Sequence, residues 1–346
     1  MSSFASACLA QVVQVAIVFA LVALLDALIA RRVGATLRAA LWGAFFVKLI
    51  VPPGATSPVS IARFADGART STADVAPADG SSGLALAALL AWGLVCAVFL
   101  AVGLARMRRA DAKWLRSARP ADPSSERTLA KLAARLAMRR APRLLVHDEH
   151  DGAASVGIVA PVIVVSSALV RSETALEHVL LHELGHVRRH DALRAAAWTL
   201  ARCAYWFHPL VHAAARRAAL VRELACDEFA ARHARGGTLG YRRTLLELAR
   251  PLAAAMPCPT GFGGAAMITA RLERLERARN TARRFDVLPG FAFVVLCACC
   301  VPLGANGLAA SALPAFDEVE GCMPKRLLVM AELAKENRAE PRTSPD

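Results

Sequence analysis

Charge is missing from long stretches of this sequence. Residues 83–105 (GLALAALLAWGLVCAVFLAVGLA) and 287–313 carry no charged side chain, and residues 8–30 carry only Asp26. Each run is long enough for a helix to cross roughly 30 Å of hydrocarbon. Three of them in one chain exclude an ordinary soluble protein. Aromatic residues are scarce as well, 6% against a hydrophobic content of 56%, and the apolar excess is concentrated in these blocks. No basic segment precedes the run at 8–30, so an uncleaved span is expected there rather than a signal peptide. A fourth candidate at 36–53 is interrupted by Arg38 and Lys48, both able to snorkel to an interface. The nine cysteines lack zinc-finger spacing, and Cys297-x-Cys299-Cys300 reads as small apolar filler. Cys203, Cys226 and Cys258 are expected on a reducing, cytoplasmic side. Internal repeats are also absent.

The net charge of +14 would suit nucleic-acid binding, but its distribution argues against direct contact with nucleic acid. Arg31, Arg32 and Arg38 lie between the first two apolar runs. Arg106, Arg108, Arg109, Lys113, Arg116 and Arg119 follow the third, while Arg271, Arg274, Arg277, Arg279, Arg283 and Arg284 precede the last. The loop at 54–82 offers only Arg63 and Arg69 against Asp66, Asp74 and Asp79. Under the positive-inside rule the basic segments are cytoplasmic, and the charge serves topology and contact with membrane lipids. The expected architecture is a mainly α integral membrane protein with both termini extracytoplasmic. An N-terminal membrane unit (1–105) has spans at 8–30, 36–53 and 83–105. A cytoplasmic domain (106–285), a fourth transmembrane helix (286–313) and a short extracytoplasmic tail (314–346) complete it.

Within the cytoplasmic domain, 120–126 (PADPSSE) reads as a linker and "RTLAKLAARLAMRR" as a basic-faced helix lying on the membrane or the domain body. "PRLLVHD" at 142–148 and "IVAPVIVVSS" at 158–167 read as strands joined by a Gly- and Ala-rich turn. Residues 172–190 read as a helix with Ser172 as N-cap. A strand pair beside a metal-binding helix suits a protease, because an edge strand can hold an extended peptide. Residues 195–220 read as an interfacial or re-entrant helix, since Arg202 and His208 spoil a full span. A Pro- and Gly-rich loop is expected at 251–265, ahead of a basic helix near 267–284.

The chemistry concentrates in "LLHELGHVRRHD" at 180–191. His182 and His186, four positions apart on a helix, face the same way and can bind one metal ion, with Zn²⁺ well suited to neutral imidazole. Glu183 points aside, placed to act on water rather than to bind metal. A catalytic zinc needs a third protein ligand, for which His190, His208, His212, Glu223, Asp227, Glu228 and His233 are candidates. The metzincin Gly and His are absent, their places taken by Arg189 and Ala192. "VRELACDEFAARHA" at 221–234 offers Glu223 as the better ligand, with Asp227 four residues on to hold a histidine by its other ring nitrogen. Asp191 is a second acid for that task. His208, His212 and Tyr241 are candidates to stabilise an oxyanion. His178, His190 and His233 read as surface residues on charged helices.

"LLHELGHVRRHD", "WFHP" at 206–209 and "RELACDEFA" at 222–230 together resemble the BlaR/MecR family of membrane-embedded gluzincin peptidases, the beta-lactam sensor-transducers and their relatives. The likeness extends to "PRLLVHD…GIVAPVIVVSS" and "GYRRTLLELA" and covers roughly residues 10–310. It implies an α+β gluzincin-type metalloprotease domain on the cytoplasmic side of four transmembrane helices. It also implies one zinc held by His182, His186 and Glu223, with Glu183 as general base. In the family the work is regulatory proteolysis of a transcriptional repressor, or self-cleavage, in envelope or antibiotic-response signalling. The departure lies at the C-terminus: residues 314–346 contain no Ser-x-x-Lys and are too few for an acylatable penicillin-binding domain, so direct beta-lactam sensing is not expected. Leu327, Leu328, Met330, Leu333 and Ala334 form a short amphipathic pattern there. Two other functions fit the membrane plan: a quality-control protease acting on membrane proteins, and a catalytically silent receptor or scaffold. The intact motif argues against the last.

Overall fold

The structure, a computed structural model, describes residues 3–50, 82–149, 152–255 and 264–281. The expected span at 286–313, nearly all of the loop at 54–82, part of the expected loop at 251–265 and the tail lie outside these residues. The described chain is mostly helical with one small sheet. Helices α1 (Ser3–Ile29), α2 (Ala35–Ile50) and α3 (Ser82–Leu115) come first, followed by strand β1 (Arg119–Pro120) and α4 (Pro123–Arg135). Strands β2 (Arg143–His147), β3 (Ala153–Val156) and β4 (Val162–Ser166) lead into the short α5 (Ser167–Val170). Then come α6 (Glu173–Arg188), α7 (Asp191–Ala204), α8 (Pro209–His233), α9 (Gly237–Ala255) and α10 (Gly264–Thr281).

Two described helices are long and apolar enough to cross a membrane, over Gln11–Ile29 and Leu86–Leu115. The Leu86–Leu115 stretch buries none of its most apolar window inside the protein, as a lipid-facing helix would. At 16 residues, α2 extends only about 24 Å at 1.5 Å per residue. Arg38 on α2 does not snorkel. It is buried against Asp26 of α1, Nε to Oδ1 2.5 Å, and Arg217 of α8 donates to the same carboxylate at 2.9 Å. The segment 195–220 is two helices: α7 and the first half of α8 meet at a turn over 205–208, with Pro209 opening α8. Trp206 in that turn stacks on Phe99 of α3, ring centroids 6.0 Å apart.

The sheet has the order β1-β2-β4-β3. The stretch expected to be only a turn between two strands contains β3, antiparallel to β4, while β2 and β4 run parallel. Because β3 is the outermost strand of the described sheet, its free side faces away from β4. The sequence hid it because AASV is too short to show alternation. Helix α4 is capped by Asp122, whose carboxylate accepts from the backbone N–H groups of Ser124 and Ser125 at 3.1 Å. It buries Leu129, Leu132 and Ala133 on the domain body rather than on a membrane.

Among the described residues two large apolar cores result, with a small third cluster of Ala35, Leu224 and Ala225 between α2 and α8. One, built on α1, α2 and α7, contains Val15, Val18, Val22, Trp42, Phe45, Phe46 and Trp198. The other joins the sheet to α4, α6, α9 and α10 through Leu144, Ile163, Val165, Leu180, Leu181, Leu184 and Leu275. Helix α8 belongs to both: Val211, Ala214, Ala218 and Val221 fill the first, and Ala230 and Ala231 the second. One helix therefore carries the geometry of the N-terminal unit into the body.

Candidate metal centre

Helix α6 starts at Ser172, whose Oγ accepts from Ala175 N at 3.3 Å, and its apolar positions Leu176, Leu180, Leu181 and Leu184 bury it. That buried face fixes the rotation of the helix, and His182 and His186 follow together onto the side that meets α8. Gly185 permits the approach. A Cβ there would lie 3.1 Å from Phe229 Cδ1 and 3.5 Å from Cys226 Sγ, both on α8. With α8 this close, Glu223 reaches the two imidazoles.

Three ligand atoms converge. His182 Nε2 and His186 Nε2 are 3.2 Å apart, and Glu223 Oε2 lies 3.4 Å from the first and 3.6 Å from the second. A tetrahedral ion with bonds of about 2.0–2.2 Å separates its ligand atoms by roughly 3.3–3.6 Å, so the residues present fit a zinc ion. The set of two imidazoles and one carboxylate also leaves an open position, as catalytic zinc sites do.

The outer nitrogens of both rings are held. His186 Nδ1 lies 2.9 Å from Asp191 Oδ2. His182 Nδ1 lies 3.1 Å from Asp227 Oδ1 and 3.1 Å from the Tyr241 hydroxyl, which itself donates to Asp227 Oδ1 at 2.7 Å. Such contacts fix which nitrogen faces the metal. Arg271 completes the group by donating from Nε and Nη2 to the two oxygens of Asp227, each at 2.7 Å. A second cluster, His186, Asp191 and Cys226, lies on the Nδ1 side of the same ring. Its members contact one another, with Cys226 Sγ 3.4 Å from His186 Nδ1, so it forms the backing of the first group. Burial raises the Cys226 thiol and favours its neutral form.

The electrostatics follow from these contacts in the metal-free state. Burial opposes charge on His186, but the Asp191 carboxylate, Cys226 and Glu223 override it and the imidazolium is pushed up to about 12. His182 shifts the same way: burial opposes its charge, and Asp227 and Glu223 override that. Glu223 is held well below the carboxylate range by the two histidines despite burial. Asp227, equally desolvated, is brought down to about 2 by Arg271 and His182. Metal entering here displaces protons from the imidazoles.

A cleft of about 440 Å³ opens onto this group. Strand β3 (Ala153–Ser155) borders it on one side, α6 forms its floor, and Ala192, Leu245 and Ile268 contribute to its walls. Glu183 lines it, and its carboxylate has no hydrogen-bond or ion-pair partner among the described residues. Of the candidate ligands, the structure gathers His182, His186 and Glu223, with Asp191 and Asp227 behind the rings. His190 is exposed at a left-handed backbone position, φ 52°. His208 Nε2 lies 3.3 Å from Val12 O on α1, and His212 Nε2 donates to Trp206 O at 3.0 Å; neither lines the cleft. His233 Nδ1 lies 2.8 Å from Phe229 O, and Glu228 turns toward α2. His178 is not a surface residue: it is 1% exposed, with Nδ1 2.8 Å from Thr244 Oγ1. Tyr241, read as an oxyanion candidate, commits its proton to Asp227. Arg271 is not recognisable from sequence as part of the site, since it sits in a run of arginines that reads as topology.

A helix-borne His-Glu-x-x-His with a glutamate from a second helix is the constellation of a metallopeptidase. A comparison with protein families agrees: a model of the family described as BlaR1 peptidase M56 matches residues 61–275. That span is most of the chain and includes every residue of the site. The protein belongs to this peptidase family. No curated protein matches the chain.

Proposed function

We propose that the protein is a membrane-bound zinc endopeptidase that hydrolyses peptide bonds on the cytoplasmic side, in the service of regulatory proteolysis. The observation that carries the reading is the convergence of His182 Nε2, His186 Nε2 and Glu223 Oε2 within 3.6 Å of one another, beside an uncommitted Glu183. Zinc held by these three residues supplies Lewis acidity for the scissile carbonyl and for the attacking water. Glu183 accepts the proton of that water and delivers it to the leaving amine nitrogen. Asp191 and Asp227 keep Nε2 of each ligand histidine turned inward. Strand β3 borders the cleft and is the terminal strand of the described sheet, so an extended peptide can add to its unpaired edge.

The cytoplasmic placement rests on Arg106, Arg108, Arg109 and Lys113 at the C-terminal end of α3, directly before the peptidase body. With the apolar run at 287–313 the chain has four spans in this reading. Its substrates are then proteins reachable from the cytoplasm, a transcriptional repressor or the enzyme itself. The test is co-expression of wild type and Glu183→Gln with candidate repressors, with zinc measured in both purified proteins. Wild type cleaves and the variant does not, while both carry one zinc. Cleavage that persists in the variant, from protein without zinc, overturns the reading.

A further inference from the structure

Asp227 and Glu228 are neighbours on α8, and α10 meets both. While Arg271 grips Asp227, Arg274 one turn later donates from Nε to Glu228 Oε1 at 2.6 Å. The rest of the Arg274 guanidinium reaches the N-terminal unit: Nη1 donates to Ala30 O at 2.8 Å and Nη2 to Val33 O at 2.6 Å. Glu228 faces the same turn, its Oε2 accepting from Ala35 N at 2.9 Å. Ala35 opens α2, so this amide has no carbonyl of its own helix to bond. Gly34 allows the approach, since a Cβ there would lie 3.3 Å from Glu228 Oε2. Glu228 and Arg274 are each only 6% exposed. The turn between α1 and α2 is thus gripped by its backbone, from the two helices that also hold Asp227 and Arg271.

A buried Arg–Glu pair is a poor source of stability, because desolvating the ions offsets their attraction. Its strength is direction: charge-assisted hydrogen bonds fix the relative positions of the groups they join. The chain of contacts is continuous. It runs from the Ala30 and Val33 carbonyls through Arg274 and Glu228, one residue along α8 to Asp227 and Arg271, and on to His182 Nδ1.

We propose that α10 is a bracket between the α1–α2 turn and the metal centre. Arg271 is a positioning residue that acts on His182 through Asp227, and Arg274 with Glu228 locks the same helices to the turn. Displacement of the α1–α2 hairpin is thereby passed to the metal ligands. The inference rests on the zinc reading above. Coupling of this kind is reciprocal, so a hairpin that steadies the ligands is itself steadied by the metal.

The test uses the full chain in lipid nanodiscs, with zinc affinity measured against a chromophoric chelator and amide hydrogen exchange followed over residues 30–38. Zinc slows exchange across 30–38 in the wild type. Arg271→Met weakens zinc binding about 10–100-fold, the usual effect of removing a group behind a ligand, and Arg271→Lys recovers part of it. Arg274→Met touches no ligand or ligand partner, yet weakens zinc binding and abolishes the zinc-dependent protection of the turn. Ala35→Pro removes the amide that Glu228 accepts from at a position where a helix tolerates proline, though its ring also enters the buried contact with Leu224 and Ala225, and it too removes the protection. Zinc uptake by the wild type with exchange at 30–38 unchanged overturns the bracket and leaves the metal centre standing. Failure of the wild type to bind zinc overturns both.

Discussion

Glu183 and Asp191 both line the cleft, but they face different tasks. Glu183 has its carboxylate uncommitted, while Asp191 is spent on His186 at 2.9 Å. Their substitutions should therefore separate. Glu183→Gln keeps zinc and lowers turnover by about 10²–10⁴, the usual worth of a general base. Asp191→Ala lowers zinc affinity by about 10–100-fold and lowers activity only as far as zinc is lost, so excess metal restores it. Metal content and a zinc titration of the two variants check both outcomes. At this scale the sequence was readable where function is local. His182 and His186 lie four residues apart on one helix, as do Glu223 and Asp227 on another. A period of 3.6 residues is enough to put each pair on one face, while the pairing of Glu223 with the histidines is implied only by the family resemblance. Tyr241 and Arg271 reach the same atoms from α9 and α10, and nothing in their neighbours' spacing shows it. His178 misled for the opposite reason: it stands beside charged residues, but its partners Thr244 and the Arg235 carbonyl come from far along the chain.

At the scale of elements the metal centre depends on how closely α6 meets α8. Gly185 stands at that contact, with Phe229 and Cys226 opposite. In an isolated helix, replacing a glycine stabilises by up to about 1 kcal/mol. Here the added atoms meet a packed helix, and overpacking costs about 1–3 kcal/mol. Packing wins for a large residue. Gly185→Leu is expected to lower the melting temperature and to weaken zinc binding, because separating the helices carries Glu223 away from His182 and His186. A zinc affinity equal to wild type in a folded Gly185→Leu protein would show that the glycine does not set the ligand spacing. The metal-binding helix is legible from its cap Ser172 and its apolar periodicity, whereas Asp122, inside a stretch that reads as a linker, caps α4 without a sign that sets it apart from a loop. Strand β3 is not legible either, because four small residues carry too little pattern, although it borders the cleft where substrate would lie.

For the molecule as a whole, the question is whether the N-terminal unit and the peptidase body behave as one. Helix α8 has one end in each core, and Asp26, buried at 1%, ties α1 to α2 and α8 through Arg38 and Arg217. From sequence Arg38 reads as an interfacial residue, because its partner on α1 lies inside an otherwise uncharged apolar run. Asp26→Ala leaves Arg38 buried without its counter-charge, a loss of about 3–5 kcal/mol for a broken buried pair. If the two cores unfold independently, that loss falls on α1 and α2 alone. If α8 makes them cooperative, the peptidase body loses stability with them, although Asp26 touches none of the residues at the candidate metal centre. We expect the second outcome: thermal unfolding of Asp26→Ala in nanodiscs shifts the transition of Trp114, packed near His147 of the sheet, together with that of Trp42 in the hairpin core. Single-tryptophan proteins retaining one or the other report each core separately. The double variant Asp26→Leu, Arg38→Met, which removes both members of the closest pair, should recover part of the loss. A shift confined to Trp42 would mean that α8 bends between two independent bodies.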